Sequence, residues 1–170
     1  AALCCMLIGF GAKAGMFPLH GWLPTAHPVA PAPASAVLSG VITKSGVLGI
    51  IRVVYYIAGP RLIRGSWVQT VWMILTLTTV FMGSMLAYKE HVLKKRLAYS
   101  TVSQVSYILF GLSLLEPTGF VGALSHVIFH SLVKNALFMS AGAVIFCTGW
   151  TKVEQMKGLS PLQKLSSGYG

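Results

Sequence analysis

Long apolar runs separated by short polar or proline-rich stretches make up almost the whole chain. Those at 1–17, 34–58, 67–88, 97–115 and 119–149 have the length and continuity of membrane helices rather than of amphipathic surface helices. The run 34–58 (ASAVLSGVITKSGVLGIIRVVYYIA) holds its polar positions at Ser39, Thr43, Lys44, Ser45 and Arg52. The run 119–149 exceeds the usual span, which predicts a tilted or bent helix whose midpoint falls at Lys134. Between the first two runs, 18–33 (PLHGWLPTAHPVAPAP) carries five prolines that rule out an unbroken helix, since each lacks a backbone donor and crowds the preceding turn. Two arrangements satisfy this stretch. One is a broken or re-entrant segment buried against protein or water; the other is a loop at the membrane surface anchored by Trp22. The stretch 59–66 reads as a turn, and 67–88, without any charge, as a packing helix.

Composition supports this pattern. Hydrophobic residues make up 55% of the chain and charged ones 9%, and the mean hydropathy is +0.73, against roughly a quarter charged residues in soluble domains. Thirteen basic residues against three acids give a formal charge of +10. Many of these charges sit between apolar runs, so the excess reads as topology signal, and no basic–aromatic surface pattern argues for a nucleic-acid partner. The basic run 89–96 (KEHVLKKR) is then cytoplasmic or on the equivalent negative side, residues 115–118 lie outside, and the tail 150–170 lies inside. Arg61 and Arg64, which this count places outside, are discordant. Cys4, Cys5 and Cys147 lack metal-ligand or disulfide spacing and read as small core hydrophobes. The chain opens inside an apolar run without a leader-like pattern, so it is expected to be a fragment of a larger polytopic protein.

Charges inside the apolar runs carry the candidate chemistry. Lys44 lies near the middle of its run, where a charge costs roughly 2.5–3.5 kcal/mol on insertion scales, and must face protein or water. It is either a locally paired structural lysine or part of an ion path. In SHVIFHSLVKNAL, residues 125–137, His126, His130 and Lys134 recur every four positions. On a helix they share one face with about 6 Å between neighbours, a column of protonatable groups in which waters must bridge each gap. The alternatives are histidines bonded to nearby backbone or hydroxyls, or a haem or metal site, of which four-residue spacing on one helix supplies only part. Ser100, Thr101, Ser103, Gln104 and Ser106 are placed to hydrogen-bond across helices. No CxxC pair, dinucleotide-binding glycine turn or paired carboxylates mark a redox site, so no cofactor is expected in this chain. The fold expected is all-α: a polytopic transmembrane helix bundle with about five membrane segments and one discontinuous helix, forming a single domain over 1–170.

Three stretches, GAKAGMFPLHGWLPTAHPVAPAPASAVLSGVITKSGVLGIIR, LKKRLAYSTVSQVSYILFGL and LSHVIFHSLVKNALFMSAG, together resemble the antiporter-like membrane subunits shared by respiratory complex I, energy-converting hydrogenases and Mrp-type cation/proton antiporters. The wording of 27–44 is similar to the hydrogenase-4 and formate-hydrogenlyase branch. The resemblance implies a proton-translocating subunit of a membrane-bound redox complex, partnered by other membrane and peripheral subunits. The alternative it leaves open is a subunit of a stand-alone Mrp-type Na⁺/H⁺ antiporter. It implies a bacterial or archaeal cytoplasmic membrane or, alternatively, an organellar energy-converting membrane. Residue by residue, Lys13 matches the central lysine on a discontinuous helix. Lys44 matches the lysine that some members carry on the next helix, where others have a histidine a turn earlier, at the position of Ser39. His126, His130 and Lys134 match the connecting row, with Ser39 and Thr43 as path-lining candidates. The glutamate partner and the exit residue of the family fall outside 1–170.

Overall fold

In a computed structural model describing residues 2–156, every apolar run is helical, and the break falls in the proline-rich stretch. Helix α1 (Ala2–Ala14) stops where Gly15 takes the left-handed conformation, φ 87°. The Met16 and Gly15 N–H groups close back on Gly11 O and Ala12 O, at 2.8 and 3.1 Å, the usual way a glycine ends a helix. Ala12 O also accepts the Trp22 indole N–H at 2.9 Å, so Trp22 is bonded back to α1. Phe17 N–H donates to Thr79 Oγ1 at 3.0 Å and docks the turn on a later helix.

The proline stretch is not wholly irregular: 22–29 forms a short helix, α2 (Trp22–Val29). Pro24 sits in its first turn, where backbone donors have no intrahelical partner to lose, and Pro28 lies one residue from its end. The chain then extends at Ala30 and Pro31, and Pro31 caps α3 (Ala32–Ala58). Two stretches of α3, Leu38–Ile42 and Arg52–Ala58, are wound as π-helix. The stretch read as a turn contains one helical turn, α4 (Pro60–Ile63), followed by α5 (Trp67–Lys89), α6 (Leu93–Ser113) and α7 (Pro117–Thr148). Among the described residues α3, α5 and α7 are long and apolar enough to cross a membrane. Helix α6 opens on Lys94, Lys95 and Arg96, and α1 has only 13 residues. Residues 157–170 of the expected tail, with Lys157 and Lys164, lie outside the described residues.

The packing is inverted relative to a water-soluble bundle. Val29 and Phe146 are 89% and 92% exposed, while Ser39, Thr43 and Thr101 are fully buried. Cys5 and Cys147 are exposed and Cys4 is half-buried, which corrects their reading as core residues. In hydrocarbon an outward apolar group has no reason to seek the interior. Helices α5 and α6 and helices α6 and α7 pack as antiparallel neighbours, α3 lies against α1 and α7, and α2 lies against α6. At one end Arg64 Nη2 donates to Glu116 Oε1, so one of the discordant arginines is held by an acid. At the other end the basic run meets the end of α7: Leu93 N–H donates to Thr151 O at 3.0 Å, and Val153 N–H to His91 O at 2.9 Å. An apolar core containing Ile50, Val54, Trp72, Val105, Leu109 and Leu112 packs toward the Arg64–Glu116 end. A layer of buried polar groups lies beyond it.

Candidate functional site

Lys44 is buried just past the first π-wound stretch of α3. Its Nζ donates to Ser39 O, a carbonyl that also accepts Thr43 Oγ1 at 3.1 Å. π-turns disturb the regular carbonyl ladder and occur often at functional sites. Here the altered winding coincides with a carbonyl that receives an ammonium and a hydroxyl. Two residues on, Gly46 lies against the α1 backbone, where an added Cβ would stand 2.7 Å from Phe10 O. The absent side chain lets α1 close over the layer.

Lys134 is buried on α7 and donates to Leu97 O at 3.0 Å and Ser100 Oγ at 2.9 Å on α6. Leu97 O accepts Thr101 Oγ1 as well, at 3.0 Å, and Thr101 Oγ1 shares a 2.7 Å hydrogen bond with Ser39 Oγ. The two amines are therefore joined by polar contacts through Ser39, Thr101 and the Leu97 carbonyl. The hydroxyl pair in the middle can pass a proton; the carbonyls can only hold an ammonium. The ion pairs among the described residues, Arg64–Glu116, His91–Glu154 and Lys95–Glu90, all lie at the helix ends. Neither buried lysine has a carboxylate partner there. Thr101 and Ser100 were legible only as members of a hydroxyl-rich stretch, and nothing in the sequence paired them with Ser39 and Lys134.

The histidines continue the row along α7. His126 is half-buried, with Nε2 2.9 Å from Gln104 Oε1. Its ring stacks toward His130, with centroids 6.0 Å apart and planes 17° apart. His130 is buried, and neither of its nitrogens has a partner among the described residues. A cleft of about 280 Å³ borders Ser100, Gln104, His126, His130 and Lys134. At 6.0 Å the imidazoles are beyond direct hydrogen bonding, so water must complete transfer between them. Among the described residues no three His, Cys, Asp or Glu side chains cluster as a metal site.

Lys13 is not part of this assembly. It occupies the last turn of α1 with its side chain exposed. Its neighbour Ala14 meets Gly46, and the 100° step between consecutive helical residues turns Lys13 to the flank. Thus Lys44 and Lys134, with Ser39 and Thr43, form one buried layer, His130 and His126 lead away from it, and Lys13 stands apart.

Residues 1–167 match the family described as NADH:quinone oxidoreductase/Mrp antiporter, TM. Formate hydrogenlyase subunit 3 of Escherichia coli (strain K12) is 39% identical over 90% of this chain and 26% of its own length. NADH-quinone oxidoreductase subunit N of Desulforudis audaxviator (strain MP104C) is 37% identical over 98% of this chain and 33% of its own. A chain of the Mrp complex from Dietzia sp. DQ12-45-1b superimposes with a TM-score of 0.77 at 31% identity, covering 84% of this chain and 26% of that one. The present chain spans about a quarter to a third of the length of these curated relatives.

Proposed function

Because the chain belongs to the NADH:quinone oxidoreductase/Mrp antiporter transmembrane family, we propose that it is the ion-carrying part of an antiporter-like subunit, moving protons through Lys44, Lys134 and the His130–His126 row. The similarity to formate hydrogenlyase subunit 3 and to NADH-quinone oxidoreductase subunit N favours coupling to electron transfer in partner subunits of a membrane-bound complex. The observation that carries the reading is the pair of buried amines held by carbonyls and a hydroxyl, with no carboxylate at either among the described residues. An amine in such a place is poised between two costs: desolvation when charged and a weaker hydrogen-bond set when neutral. Two like charges in one desolvated layer repel, so a proton arriving at one amine favours departure from the other. The Ser39–Thr101 hydroxyls lie between them, and the imidazoles extend the path along α7.

The test uses the full-length protein in its complex, in inverted membrane vesicles. Lys44→Met and Lys134→Ala are each expected to abolish proton uptake while the complex still assembles; uptake at the normal rate in both variants would defeat the reading. The structural likeness to the Mrp complex chain supports a second reading, a Na⁺/H⁺ antiporter without redox partners. It requires Na⁺ transport to survive when those partners are removed.

A further inference from the structure

The stripe of α7 that bears His126, His130 and Lys134 runs on, four residues later, to Phe138, which is fully buried. Its ring is covered by His27 of α2, with centroids 4.7 Å apart and planes 14° apart. His27 is itself fully buried, and neither Nδ1 nor Nε2 has a hydrogen-bond partner among the described residues. A histidine kept in an interior for packing alone normally satisfies at least one nitrogen, since a buried polar group without a partner loses its hydration and gains nothing in return. His27 carries that cost while its ring, supplied by a different helix, covers Phe138, the position that follows Lys134 on the stripe.

Its position gives the row a direction. Helix α7 runs from the Arg64–Glu116 end toward the junction of Val92 with Lys152, so residues past Lys134 approach the basic run 89–96. Phe138 lies about 6 Å along the axis from Lys134. On its other side His27 adjoins the α2–α3 break, which is tied at two points: Ser35 Oγ donates to His27 O at 3.1 Å, and Lys94 Nζ to Ala30 O at 2.9 Å. Lys94 belongs to the basic run. The ring therefore lies between Phe138, one turn past Lys134 on α7, and a break that the basic run holds through Lys94. Irregular backbone at membrane depth is tolerated where protein or water satisfies it, and this break stands beside the ring.

We propose that His27 is a proton-carrying residue joining Lys134 to the membrane face marked by the basic run, so that this end of the row has its own opening beside the α2–α3 break. Water at the break delivers a proton to one imidazole nitrogen, and the other nitrogen releases its proton toward the neutral Lys134 amine. No electrons move, and the ring resets by exchanging tautomers. The inference rests on the reading of Lys134 under Proposed function.

It is tested in the intact complex in inverted vesicles. His27→Gln keeps a donor and an acceptor but cannot carry a proton, and it is expected to slow proton uptake about a hundredfold, the low end of what proton-transfer groups contribute, with assembly unchanged. His27→Ala is expected to be equally slow and to recover when free imidazole is added. Uptake at the normal rate in His27→Gln overturns the proposal. So does a slow His27→Ala variant that imidazole fails to rescue, because a packing role would give that result. Lys134→Ala, measured alongside, separates the two levels: if it stops uptake while His27→Gln does not, only this inference fails, and if Lys134→Ala has no effect the reading beneath it fails as well.

Discussion

Thr101 shows how little separates a packing residue from a path residue. Its hydroxyl gives Leu97 O a second donor beside Lys134 and meets Ser39 Oγ at 2.7 Å. Thr101→Val keeps the shape and deletes both bonds. Hydrogen bonds between membrane helices average about 0.6 kcal/mol, so detergent-solubilised protein should lose about 1 kcal/mol or less in unfolding measurements, whereas proton uptake should fall several-fold. A loss of stability with unchanged uptake would assign Thr101 to packing alone. Lys44 and Lys134 differ from the exposed Lys13 in the same terms: each buried amine has named acceptors, while Lys13 sits on the flank of α1.

At the level of elements, the layer depends on two features of α3. The π-wound stretch Leu38–Ile42 precedes Lys44, and Gly46 lets α1 approach to backbone contact. Gly46→Ala would press a methyl group onto Phe10 O and Ala14 N, and α1 must shift outward. Overpacking of this kind costs about 1–3 kcal/mol, to be read as a lowered unfolding midpoint; a midpoint equal to that of the parent protein would show that α1 does not close over the layer. The apolar runs, the break near Pro31 and the one-faced spacing of His126, His130 and Lys134 were legible in the sequence, because each rests on local rules of hydropathy, backbone donors or helical period. The π-winding was not, since it adds one residue to a turn without any compositional mark. Nor was the pairing of Ser39 with Thr101, 62 positions apart, or the stacking of His27 on Phe138, both of which exist only once α2, α3, α6 and α7 have packed. Lys13 is marked only by the resemblance, as the central lysine; the helical step that turns Ala14 inward leaves it on the flank of α1, which the sequence does not show.

For the molecule as a whole, a buried polar layer lies beside an apolar core while large apolar side chains also face outward, and charged pairs lie at the two ends. The exposed Arg64–Glu116 pair contributes at most about 1 kcal/mol, so the bundle owes its stability to helix packing and the buried polar layer rather than to ion pairs. That layer joins residues from α3, α6 and α7, and His27 of α2 stacks on α7, so the proposed proton path is assembled by the bundle, and no single helix carries it alone. What distinguishes a proton carrier from a fixed positive charge is the ability to lose the proton, and Lys134→Arg separates the two: arginine keeps the charge and donors but does not deprotonate in proteins. Measured as proton uptake by vesicles containing the assembled full-length protein, Lys134→Arg is predicted to be as inactive as Lys134→Ala; uptake at the normal rate would contradict the account, showing that Lys134 serves only as a positive charge.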